Sequence, residues 1–200
     1  MKYLFLVFLT VCTNALFVQG QSLTSEKENS VCMNTNERKL YNLVMEYRKQ
    51  NNLPSIPLST SLTFVAQTHC KDLVNNRPNI NGCNMHSWSN KGKWTPCCYT
   101  PDHKQAINMW NKPSELTPYK SYGYEIAFYV WHSDNPNYTA TPEEALEGWK
   151  SSEGHNSVII NKSIWKSTKW NAIGIGIYKG FATIWFGEKI DAAGEPQLCN

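Results

Sequence analysis

Residues 141–185, TPEEALEGWKSSEGHNSVIINKSIWKSTKWNAIGIGIYKGFATIW, decide how the chain is read. They hold a helix, a sharp turn, a short apolar segment and two strands. Thr141-Pro142-Glu143-Glu144 is a capping box. The Thr141 hydroxyl accepts a first-turn N–H, Glu144 reaches back to the Thr141 N–H, and Pro142 sits where a missing N–H costs nothing. Ala145, Leu146 and Trp149 give this helix one apolar stripe. Gly154 is expected to end it in a left-handed conformation, which would present His155 at a corner. Residues 170–178 and 181–190 read as strands, with Lys179-Gly180 as the hairpin turn between them.

Upstream, residues 122–131 are aromatic and β-branched and read as another strand. Residues 75–101 are rich in Asn, Gly, Cys and Trp and read as a pinned loop region. After them Asp102 is expected to cap a helix carrying Ala106, Ile107, Met109 and Trp110, stopped by Pro113. Nearer the start, Leu40, Leu43, Val44 and Tyr47 fall at helical spacing from Asn36 onward, until Asn51-Asn52-Leu53-Pro54 stops them. Ser59-Thr60-Ser61 supplies a second cap, and Leu62, Val65, Ala66, His69 and Leu73 then share one face. His69 reads as a core histidine of that helix rather than a site residue. Helices dominate the first half and strands the second. That order gives an α+β domain with helices on both sides of a mostly antiparallel sheet.

The first residues have the pattern of a secretory leader: Lys2, an apolar run too short to span a bilayer, then Val18-Gln19-Gly20 before a cut. The expected organisation is a signal peptide at 1–20, a flexible segment at 21–33 and one domain at 34–200. The expected location is extracellular. Of seven cysteines, Cys12 falls in the leader. An oxidising compartment would bridge the remainder, Cys32, Cys70, Cys83, Cys97, Cys98 and Cys199, into three disulfides, with Cys97 and Cys98 going to different partners. Asn137-Tyr138-Thr139 and Asn161-Lys162-Ser163 are glycosylation sequons. A net charge of +3, evenly spread, argues against nucleic acid as the partner. No later segment is apolar enough over sufficient length to be a transmembrane span.

No HExxH, GxSxG, P-loop or GxGxxG pattern is present. What remains is a scattered set: His86 after Cys83-Asn84-Met85, Glu125 inside an apolar strand, and His155 after Gly154. A buried carboxylate costs several kcal/mol unless paired, so Glu125 requires a cationic or hydrogen-bonding partner, and a histidine is the obvious one.

Six segments in this order resemble the CAP superfamily, the cysteine-rich secretory protein, antigen 5 and pathogenesis-related 1 group, whose module is also called an SCP-like extracellular domain. They are LYNLVMEYRKQNNLPSIPLSTSLTFVAQTHCKDL at 40–73, NMHSWS at 84–89, GYEIAF at 123–128, WKSSEGHN at 149–156, NAIGIGIY at 171–178 and ATIWFGEK at 182–189. The resemblance implies an α-β-α sandwich with an open cleft, on whose floor two histidines and two acids meet in many members and can hold a divalent metal. His86 and His155 take the histidine positions and Glu125 takes one acid position. The other acid position is Ser152 here, with Glu153 one place off, so the set is incomplete. Two imidazoles without a carboxylate on the metal imply weak, exchangeable zinc, with Glu125 as the acidic partner that holds the imidazoles from behind; alternatively Glu125 simply hydrogen-bonds a histidine and braces the sheet.

Three functions follow as expectations. The favoured one is an extracellular binding or defence/effector module that takes a small hydrophobic ligand (a lipid or sterol), a peptide or an extracellular protein, supported by aromatic loops that carry Trp88, Trp94, Trp110 and Trp131. The second is a surface-acting toxin or signalling protein. The third is a metal-assisted hydrolase or protease, with His86 and His155 on the metal and Glu125 as base.

Overall fold

The computed structural model describes residues 31–200. The expected leader, and residues 21–30 of the expected flexible segment, lie outside them. The last part of that segment is fixed rather than flexible. Cys32–Met33 forms β1, which pairs in parallel with β5, Gln197–Leu198, and Met33 is fully buried. Burial of Met33 and a Cys32–Cys199 disulfide hold the segment to the domain.

Helix α1, Thr35–Gln50, starts from a second capping box. The Asn34 side chain accepts from the Glu37 N–H at 3.0 Å, and the Glu37 carboxylate accepts from the Asn34 N–H at 2.9 Å. At its other end the buried Arg48 donates to the carbonyls of Pro54 and Ile159 and to Asn161 Oδ1. Helix α2, Thr60–Asn76, is capped by the Ser59 hydroxyl, which accepts from the Leu62 N–H. The continuous third helix expected to run to Pro113 is instead two short ones, α3 Ala106–Trp110 and α4 Lys112–Leu116. Pro113 lies in the first turn of α4, where a missing N–H is tolerated. Asp102 caps no helix; its carboxylate accepts from the Thr100 hydroxyl and the Lys104 N–H in a local turn.

Strands β2 Gly123–Tyr129, β3 Ala172–Tyr178 and β4 Phe181–Gly187 form one antiparallel sheet in the order β2-β4-β3. Lys179, at φ 49°, and Gly180 make the tight turn between β3 and β4. Register puts Glu125, Ala127 and Tyr129 on the same face as Trp185, Thr183 and Phe181, while Ile126, Ile184 and Ile175 share the other. Helix α2 covers the first face, and α1 with α5, Pro142–Ser151, covers the second. The result is helix on sheet on helix. Close contact on the α2 side depends on the alternating glycines of β3. A Cβ on Gly174 or Gly176 would stand 2.0 or 2.4 Å from backbone atoms of α2.

The Thr141 capping box forms at the start of α5, with the Glu144 N–H donating to the Thr141 hydroxyl and the Thr141 N–H to the Glu144 carboxylate. The end of α5 departs from the sequence expectation. Ser152 is extended, at φ −101° and ψ 114°, and makes the break. Gly154 lies in the first turn of a new helix, α6 Glu153–Ile159, and needs no left-handed conformation. His155 is therefore a helical residue.

Three disulfides were expected and two are present, Cys32–Cys199 and Cys83–Cys98, while Cys70 and Cys97 are buried thiols. Cys97 exchanges two backbone hydrogen bonds with Trp88, so its side chain and that of its neighbour Cys98 leave a paired segment in opposite directions. Cys98 reaches Cys83, whereas the Cys97 thiol donates to the Gln105 carbonyl. The Cys70 thiol faces the sheet and donates to the Gly176 carbonyl at 3.3 Å.

Candidate functional site

Glu125 stands near the start of β2, on the face covered by α2, with its side chain fully buried. Two imidazoles share its carboxylate. His69, on α2, brings Nδ1 to 2.5 Å from Oε1, and His86, in the loop after α2, brings Nδ1 to 2.8 Å from Oε2. The loop carrying His86 is held locally, since the His86 N–H donates to Asn84 Oδ1 and the Cys83–Cys98 bridge closes its base.

His69 has neighbours on every side. Its ring stacks on Trp88 at 4.3 Å and 6°, with Trp185 edge-on at 6.4 Å. Its Nε2 lies 2.9 Å from the Ser87 carbonyl. A carbonyl only accepts, so Nε2 carries a hydrogen. Burial alone would lower the His69 pKa, but the charge and hydrogen bond of Glu125 raise it above the ordinary value. Burial alone would raise the Glu125 pKa, but His69 and then His86 bring it below. Both directions describe one state, a protonated His69 donating from both ring nitrogens and an ionised Glu125 accepting from two rings. His86 then donates Nδ1–H to Glu125, which leaves its Nε2 with a lone pair. His86 is one-fifth exposed, and Tyr99 packs edge-on against it at 5.4 Å.

His155, on α6, is half-buried. Burial first, and then the nearby His86, lower its pKa. The structure joins His86 and Glu125 by a hydrogen bond, and among the described residues the His155 side chain makes none with either. Ser152 is the N-cap of α6 and makes no side-chain cap bond, while Glu153 is exposed. Among the described residues no group of three or more His, Cys, Asp or Glu side chains is arranged to hold a metal. Glu125 has no free oxygen to offer one. Its hydrogen bond to His86 Nδ1 fixes the tautomer of that ring from behind.

Sequence reasoning placed His69 in the core and missed that it belongs to this cluster. The available signal was its position on the apolar face of α2: a buried imidazole there needs a partner as much as a buried carboxylate on β2 does.

The remaining sequence candidates fall elsewhere. Of the four tryptophans expected in loops, Trp88 is buried, Trp94 is partly buried, Trp110 ends helix α3 and is partly buried, and only Trp131 is broadly open. Asn137 is exposed on the loop after β2. Asn161 is a structural residue. Its Oδ1 accepts from Arg48 at 2.7 Å, and its Nδ2 donates to the carbonyls of Trp165 and Thr168 at 3.2 and 2.8 Å.

No protein-family profile and no curated protein matches this chain. Solved structures do. A crystal structure of an extracellular protein containing an SCP domain from Bacillus anthracis str. Ames is similar over 77% of this chain and 40% of that one, at 21% identity and a TM-score of 0.51. An outer surface protein from Borrelia burgdorferi matches over 77% and 92%, at 18% identity and 0.49. A cysteine-rich secretory protein from Staphylococcus aureus subsp. aureus Mu50 matches over 77% and 39%, at 15% identity and 0.47. The present chain thus spans well under half of the Bacillus structure, and at this identity the likeness speaks to architecture. With its helix-sheet-helix layering and antiparallel sheet, this chain has the fold of an SCP domain, the α+β architecture of the CAP superfamily.

Proposed function

We propose that this chain is a secreted extracellular module that acts by binding a ligand rather than by hydrolysing one. The observation that carries this reading is the state of Glu125. A metal-assisted hydrolase needs a carboxylate base that can take a proton from water. Glu125 is sealed from solvent, and both of its oxygens already accept from imidazoles. The leader pattern and the SCP fold support export.

A small apolar ligand has a place to go. A groove of about 520 Å³ runs between the first turns of α2 and the segment after α4, lined by Phe64, Leu116 and Pro118. We propose a separate contact at His86 and His155, weak zinc held through their imidazoles. Protonation competes with the metal, so binding falls away in acid. The depressed pKa of His155 keeps that ligand available to lower pH than an ordinary histidine.

Mass spectrometry of small molecules that co-purify with natively secreted protein tests the reading, run beside a casein-turnover assay. A bound apolar compound and no turnover are expected. Turnover that is lost in His86→Ala would overturn it. Calorimetry with Zn²⁺ on wild type, His86→Ala and His155→Ala tests the metal contact, and equal binding by all three would remove it.

A further inference from the structure

We infer that a second site, at the far end of β2, binds an acidic carbohydrate. Tyr129 is four residues along β2 from Glu125, about 13 Å at strand spacing. Here a groove of about 390 Å³ opens between the end of α2, the loop after β2 and the β3–β4 turn. It is lined by neither His86, Glu125 nor His155.

Its walls point to a sugar. Trp131 is 63% exposed and Tyr129 47%, and Phe181 lies beneath, its ring 4.4 Å from that of Tyr129. Large rings left open to water suit the C–H faces of a pyranose, whose hydroxyls stay hydrated at the rim. Asn79 and Asn135 line the same groove and supply planar amides for hydroxyl groups. His132 lines it too, and its buried Nε2 has no hydrogen-bond partner.

The charge selects an acidic sugar. Arg77 and Lys179 line the groove, no carboxylate does, and neither cation belongs to an ion pair among the described residues. Glu144 lies near enough to His132 to feel its charge, but it is engaged by the capping box and by the Tyr138 hydroxyl. Two free cations beside an aromatic platform match a uronate or sulfate on a pyranose ring.

The test is calorimetry with a hyaluronan hexasaccharide, a heparin-derived hexasaccharide and neutral maltohexaose. All proteins carry Asn137→Gln, so that a sugar on the chain itself cannot fill the groove. At least one acidic oligosaccharide is expected to bind and maltohexaose is not. Trp131→Ala leaves the charge unchanged and should weaken binding about tenfold or more. Arg77→Gln with Lys179→Gln should weaken it as much and flatten its salt dependence, and His86→Ala should leave it unaltered. These side chains lie at the surface, and thermal unfolding checks that each variant is folded. Absence of binding by both acidic sugars, equal binding of maltohexaose, or binding that survives Trp131→Ala would each overturn the inference.

Discussion

Nδ1 of His69 lies 2.5 Å from Oε1 of Glu125, although neither side chain touches solvent. An ion pair sealed in this way matters most when one partner is removed, because the other charge is then stranded. Glu125→Gln is expected to cost roughly 3–5 kcal/mol. The effect depends on pH from both sides. The His69 pKa is raised from 6.5, so its contribution is complete below 6.5 and is lost as pH rises through the raised value. The Glu125 pKa is lowered from 4.5, so its contribution is complete above 4.5 and is lost as pH falls through the lowered value. Denaturant midpoints of wild type and Glu125→Gln should therefore differ most between pH 4.5 and 6.5, and draw together as pH falls through the lowered Glu125 value or rises through the raised His69 value. A difference independent of pH would show that the pair is uncharged.

Cys70 and Cys97 are expected to remain thiols in the exported protein. Burial pushes the Cys70 pKa up to about 12, so little thiolate forms at neutral pH. Alkylation under native conditions should leave Cys70 unmodified, and alkylation after unfolding without reductant should label two cysteines, Cys70 and Cys97. Labelling of none would restore the expectation of three bridges.

Of the two sequons, Asn137 should carry a glycan and Asn161 should not. A sugar on Asn161 would replace one Nδ2 hydrogen and break a bond to Trp165 or Thr168. Asn161 also has φ 49°, which few residues accept, so Asn161→Ala should cost about 2 kcal/mol or more. Glycopeptide mapping checks the first statement and chemical denaturation the second. A glycan found on Asn161 of folded protein would contradict this placement.

Gly176→Ala should be among the most damaging single changes. The new methyl group would meet the α2 backbone at Ala66 and Gln67, which cannot rotate away as a side chain could. Overpacking of this kind costs typically 1–3 kcal/mol and more where backbone must move. A variant with an unchanged melting temperature would mean that α2 lifts freely off the sheet.

Local features of this fold could be read from the sequence, and relational ones could not. The Thr141 capping box is written within four residues and forms as read. The Lys179-Gly180 turn and the alternating residues of β3 and β4 are equally local. Gly154 reads as the break after α5 because glycine commonly ends helices, yet the extended backbone of Ser152 makes it. Parity of cysteines suggested a third bridge, but nothing in spacing tells that Cys70 faces β3 while Cys97 turns away from Cys98. His69 shows the limit most clearly. Its role arises from Glu125, 56 positions away, and from Ser87, 18 positions away. Neither contact leaves a pattern along the chain.

The bridge between Cys32 and Cys199 closes 167 residues of chain at a point where the Cα atoms are 5.0 Å apart. Whatever is attached before Cys32 and after Cys199 therefore leaves the domain from one pole. A pull applied through those two attachments would pass across two sulfur atoms and would not reach the three-stranded sheet or the helices. In mechanical terms the domain hangs on its tether as a bead on a knot. It can be tugged without being opened for as long as that single bond stays oxidised.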